Sequence, residues 1–107
     1  MPAITATAAV QTVITTFETS PGQCADLLDE LQAAYAEFIA KQPGFVSAAL
    51  HVNDAQTRIA NYSQWRRRED FQAMLRSDEM RVRNRRIATL CRSFEPVLYD
   101  VAATYGS

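Results

Sequence analysis

The chain has 107 residues, of which 48% are hydrophobic and 21% charged, with a formal net charge of −1. That length supports one domain around one core, and no apolar run approaches the ~18 residues of a membrane span. Two cysteines, a single histidine and no C-x-x-C pair argue against a structural zinc site.

The opening stretch, residues 1–8, has neither the basic start nor the apolar run of a signal peptide. It is expected to be a flexible N-terminal arm on a cytoplasmic protein, with residues 9–107 forming the single domain. Residues 9–18 are rich in β-branched and aromatic side chains and predict a first strand. Ser20-Pro21-Gly22-Gln23 predicts a helix start, with Ser20 as cap, Pro21 at the first helical position and Gln23 completing a capping box. Cys24, Leu27, Leu28, Leu31, Tyr35 and Phe38 then recur at helical spacing. The helix is expected to end at Lys41-Gln42, before Pro43 and Gly44.

Two strands, 45–53 and 58–65, flank a turn at 54–57 and predict a hairpin. Helical patterns follow over 68–76 and 78–92, with Ser77 as the cap between them and Met80, Ile87, Leu90 and Cys91 inward. Cys24 and Cys91 are expected to be buried filler. A last strand is expected to run from Val97 to Tyr105 after Pro96. This β-α-β-β-α-β order, with an antiparallel sheet, points to an α+β ferredoxin-like sandwich.

If Asn53 and Arg58 flank the turn, Val52 faces Ile59, Leu50 faces Asn61, Ala48 faces Ser63 and Val46 faces Trp65. Alternation puts these eight on one sheet face, the more apolar one, beneath the helices. Asn61 is the exception there: a buried amide needs a hydrogen-bonding partner, from the protein or from a ligand. Asn61 and Trp65 flank Ser63 and offer a polar group beside a flat aromatic wall, which suits a planar oxygenated ligand. The opposite face carries Phe45, Ser47, Ala49, His51, Ala60, Tyr62 and Gln64. It is too apolar for water and predicts a homodimer. His51, the single histidine, is thereby directed away from Asn61 and Trp65.

Residues 1–57 carry one lysine against six acids, and residues 66–92 nine arginines against four acids. Because the arginines are interleaved with acids, they predict a solvated helix face and not a nucleic-acid surface.

Pro43-Gly44-Phe45 with Ser47-Ala48, then Asn61-Tyr62-Ser63-Gln64-Trp65, Arg68-Glu69-Asp70-Phe71 and Phe94-Glu95-Pro96-Val97, resembles the antibiotic biosynthesis monooxygenase family. The likeness runs from about Val13 to Val101. It implies a dimeric α+β barrel with a cleft between sheet and helices in each subunit. It further implies oxidation of a phenolic, quinol or anthrone-like aromatic compound by O2 without metal or flavin. On this resemblance Asn61 and Trp65 hold the substrate oxygens, and a helix arginine, Arg85 by ungapped counting or Arg83 by helix phase, enters the cleft. Leu50, Ser63 and Phe71 would shape the pocket. Phe71 stands where characterised oxygenases of the family place a tyrosine, so it cannot relay a proton. That departure leaves open a non-oxygenase binder or cyclase of aromatic metabolites. Haem degradation, known in some members, needs a histidine where this chain has Met74-Leu75-Arg76.

Overall fold

The computed structural model describes residues 10–106; the expected arm at 1–8 lies outside the described residues. The elements follow the order β1 (Gln11–Glu18), α1 (Pro21–Glu37), a single 3-10 turn (Ile39–Lys41), β2 (Phe45–Val52), β3 (Arg58–Trp65), α2 (Arg68–Arg76), α3 (Asp78–Ala88) and β4 (Ser93–Tyr99). The four strands form one antiparallel sheet in the order β2-β3-β1-β4. This is the ferredoxin-like topology, with the helices packed on one face.

Hydrophobic burial drives that packing. Val13 and Phe17 of β1, Ile59 and Trp65 of β3, Leu27 and Leu31 of α1, and Met80 and Ile87 of α3 share one buried cluster. Each such side chain contributes about 1.5–3 kcal/mol of burial free energy. Phe17 stacks on Phe94 of β4 with ring centroids 5.2 Å apart. Pro96 lies within β4, an edge strand, where a missing N–H costs little of the ladder.

The hairpin register is as expected from Val52↔Ile59 to Ser47↔Gln64, and then shifts. An irregularity between Phe45 and Ser47 places Phe45, not Val46, opposite Trp65. One extra residue in β2 inverts the facing of whatever precedes it. Phe45, expected outward, therefore packs on the Trp65 ring at 5.4 Å, while Val46 is 45% exposed. Val52, also expected inward, is exposed at the strand end. Gln64 faces outward as expected, yet it is buried and donates to Thr12 Oγ1 on β1 at 3.3 Å.

Other boundaries move for local reasons. Helix α1 stops at Glu37, and the chain reaches Pro43 through the 3-10 turn. The capping box at its start does not form: Ser20 makes no cap bond, and Gln23 Nε2 donates instead to the Thr89 carbonyl at 3.3 Å. Ser77 does cap α3, accepting from Met80 N at 3.3 Å while donating to the Met74 carbonyl at 2.7 Å. α3 ends at Ala88, so Leu90 and Cys91 lie beyond it. β4 begins at Ser93 and ends at Tyr99, pairing with β1 over Thr12–Glu18. The β1 partner fixes where this strand starts, a constraint that lies outside its own sequence.

Candidate active site

A cavity of about 50 Å³ lies between the sheet and the helices. Strand β3 supplies Asn61, Ser63 and Trp65, three alternate residues on the inward face, and β1 supplies Thr15 and Phe17. Leu31 and Tyr35 line it from α1, Phe71, Met74 and Leu75 from α2, Met80, Asn84 and Ile87 from α3, and Phe94 and Pro96 from β4. The lining is mostly apolar, with Thr15, Tyr35, Asn61, Ser63 and Asn84 as its small polar groups. Among the described lining residues Tyr35 is the only titratable one. Met74, Met80 and Leu75 are the side chains best able to yield to a larger guest.

The indole of Trp65 is fixed by aromatic neighbours. Phe45 meets it edge-on at 5.4 Å and 86°, Phe71 at 5.9 Å and 66°, and Tyr35 in turn packs on Phe45 at 5.9 Å. Such edge-to-face pairs contribute about 0.5–1.5 kcal/mol beyond burial and restrict the ring to one orientation. Trp65 is 1% exposed, and its Nε1 is buried with no hydrogen-bond partner among the described residues. A buried donor left unpaired costs about 1–3 kcal/mol, so it calls for an acceptor.

Half of the need of Asn61 is met inside the protein. Tyr35 Oη donates to Asn61 Oδ1 at 2.9 Å. That bond ties α1 to β3 and occupies the amide oxygen, so the amide nitrogen is the group of Asn61 with no partner among the described residues. Burial pushes the Tyr35 phenol above its ordinary range, which keeps it a donor to Asn61. Ser63 is buried and its Oγ makes a long bond, 3.5 Å, to the Val13 carbonyl.

The remaining residues expected at the site are placed differently. Arg85 is exposed and does not line the cavity. Arg83 is buried, but its guanidinium bonds Glu37 Oε1 at 2.9 Å and Glu79 Oε2 at 2.8 Å, tying α3 to the end of α1. The Glu37 bond first, then Glu79, raises its pKa further and holds the charge. Helix phase did predict an inward Arg83, but across the helix pair and not into the cavity. The α3 residue that does reach the cavity is Asn84, four residues after Met80 and three before Ile87, on the inward stripe already visible in the sequence. Leu50 lines a separate open groove of about 720 Å³ along β2 and α1. His51 is exposed on the outer sheet face. Among the described residues no three His, Cys, Asp or Glu gather as a metal site, and no helix is long and apolar enough to cross a membrane.

The sequence profile of the antibiotic biosynthesis monooxygenase family matches residues 10–85, which include β1 to β3 and most of the helical layer. The chain belongs to that family. Tetracenomycin-F1 monooxygenase of Streptomyces glaucescens is 29% identical to it over 99 residues, covering 90% of this chain and 85% of the relative. Among solved structures, a variant of SnoaB, a cofactor-independent oxygenase from Streptomyces nogalater, superposes with a TM-score of 0.81 at 21% identity, over 94% of this chain and 100% of that one. A monooxygenase from the ActVA-Orf6 gene of Streptomyces coelicolor, in complex with nanaomycin D, gives 0.74 at 20% identity, over 94% and 93%. These likenesses show that the ferredoxin-like fold of this family member is the one its relatives use.

Proposed function

We propose that this family member is a cofactor-independent monooxygenase that oxidises an anthrone-like or phenolic polycyclic compound with O2. The observation that carries the reading is a pair of N–H donors on one strand of an apolar cavity: the buried Trp65 Nε1, which has no partner among the described residues, and the amide of Asn61, whose oxygen is taken by Tyr35. Two N–H groups held in a dry site stabilise an oxyanion far more than they would in water. The names of the relatives favour the same chemistry, since one is a tetracenomycin-F1 monooxygenase, one is a cofactor-independent oxygenase and one is in complex with nanaomycin D.

The proposed reaction balances without an external reductant. The substrate CH2 group, conjugated through the ring to a carbonyl, loses a proton to solvent and leaves an enolate whose oxygen rests on Asn61 and Trp65. The carbon that lost the proton gives one electron to O2, and the resulting radical pair joins to form a C–O bond and, with a proton, a hydroperoxide. Loss of water breaks the O–O bond and leaves a carbonyl. One oxygen atom enters the product, the other leaves in water, and the CH2 group supplies all the electrons. Among the described residues the lining holds no carboxylate or imidazole, so the substrate must be acidic enough to ionise with only these donors. Anthrones meet that demand.

The outer sheet face supports a homodimer. Ile14, Ala49, Ala60, Tyr62, Val97 and Tyr99 form an apolar surface there, with Val97 38% and Tyr99 47% exposed. The Tyr62 hydroxyl is buried without a partner on the same face. A second reading, a non-oxygenase binder or cyclase, is favoured by Phe71, which lines the cavity without a hydroxyl. Oxygen uptake by metal-free protein given an anthrone decides between them. Uptake that disappears in Asn61→Ala and Trp65→Phe supports the oxygenase. Quenching of Trp65 fluorescence by the anthrone without oxygen consumption supports the binder.

A further inference from the structure

The Asn61 amide is ambiguous by itself. Rotated by half a turn, it would show its carbonyl to the cavity and repel the oxyanion that the proposed reaction forms. Something must hold it with the nitrogen inward, because the two orientations fill the same space. The neighbour that touches its oxygen is Tyr35, whose hydroxyl lies 2.9 Å away. We propose that Tyr35 is a positioning residue: its phenol O–H holds the Asn61 carbonyl and so turns the Asn61 amide N–H toward the substrate oxygen, alongside Trp65.

Three further observations support this assignment. Tyr35 is itself held, since its ring packs on Phe45, which packs on the Trp65 indole, so one aromatic chain sets both donors. Burial keeps the phenol protonated well past neutral pH, so it remains a donor under working conditions. Finally, Phe71 brings no hydroxyl to the lining, and Tyr35 is the one phenol among the described lining residues. The role rests on the oxygenase reading for its consequence in turnover, but the amide orientation itself does not.

The variant that tests it is Tyr35→Phe, which keeps the ring and its packing on Phe45. The expected result with an anthrone is a fall of about 10–100-fold in kcat with KM changed by less than about 3-fold, because a misoriented donor fails at the charged transition state more than in the ground state. In an Asn61→Ala background, adding Tyr35→Phe should cost nothing more, since the tyrosine acts through the amide. A second measurement is independent of turnover. In the 15N spectrum of free wild-type protein the Asn61 side-chain NH2 pair should be resolved and slow to rotate. In Tyr35→Phe it should move and broaden, with the backbone spectrum otherwise retained. An unmoved NH2 pair in Tyr35→Phe would overturn the proposal, as would multiplicative losses in the double variant. If wild-type protein consumes no oxygen but the NH2 pair responds, the oxygenase reading fails and the positioning role stands.

Discussion

Trp65→Phe separates a donor from a core filler. The indole is 1% exposed and held edge-on by Phe45 and Phe71. Replacing it by a phenyl ring leaves about 40 Å³ unfilled, which at about 24 cal/mol per Å³ costs about 1 kcal/mol, with a similar loss of transfer free energy. The same change removes a buried N–H that has no partner, which relieves about 1–3 kcal/mol. The two effects oppose each other, and the expected net change in unfolding free energy is about 1 kcal/mol or less. In urea denaturation, followed by far-UV circular dichroism because the fluorophore is gone, the midpoint should barely move. Turnover should behave otherwise. Losing one of two oxyanion donors costs about 10²–10³ in kcat. A variant destabilised by about 3 kcal/mol or more that still turns over normally would refute the reasoning. The nitrogen would then be satisfied inside the protein, and the indole would serve packing alone.

Gly44→Ala should be severe for a backbone reason. Gly44 has φ of +84°, and a β-carbon there would overlap the Asp70 side chain down to its own Cβ. Strain and overlap together should cost about 2–4 kcal/mol in equilibrium unfolding. Arg83→Met should cost about 1–2 kcal/mol, because Glu37 and Glu79 are largely solvated and only the stem packing and screened pairing are at stake. Arg85→Ala, on the exposed face of α3, should stay within about 0.5 kcal/mol in the same measurement, and both arginine variants should keep wild-type oxygen uptake. Tyr35 gives a pH signature: its folded pKa is raised above the ordinary 10.0. Its contribution is therefore intact below about pH 10 and is lost as pH rises toward the folded value. Alkaline unfolding should be shallower in Tyr35→Phe than in wild type.

How much of the site was legible follows from the period of each element. Strand alternation put Asn61, Ser63 and Trp65 on one inward face, and the structure has them lining one cavity. Alternation failed at Phe45, because a bulge adds a residue that no period-2 pattern registers. Helix phase marked Tyr35 and Met80 as inward but could not say what they met. Tyr35 looked like one more core aromatic until the fold brought α1 over β3. Asn84 stood on the same stripe as Met80 and Ile87, and its polarity at that position was the signal that went unused. The arginines were misdirected because many alternate with acids on exposed turns, where spacing does not reveal which partner each guanidinium will find.

The sequence by itself determined the element order, the inward set on β3, the helix break at Ser77 and membership of a family. Local propensity, capping and periodicity act over a few residues and are written into the chain directly. Only the tertiary structure decided that Phe45 faces Trp65, that Arg83 is spent on Glu37 and Glu79, and that Tyr35 bonds Asn61. Those contacts join residues up to 46 positions apart, and their geometry depends on how three helices settle on one sheet. The paired donors Asn61 and Trp65 were visible as residues from the outset; what the fold added was the phenol that holds one of them and the apolar walls that keep the other without a partner.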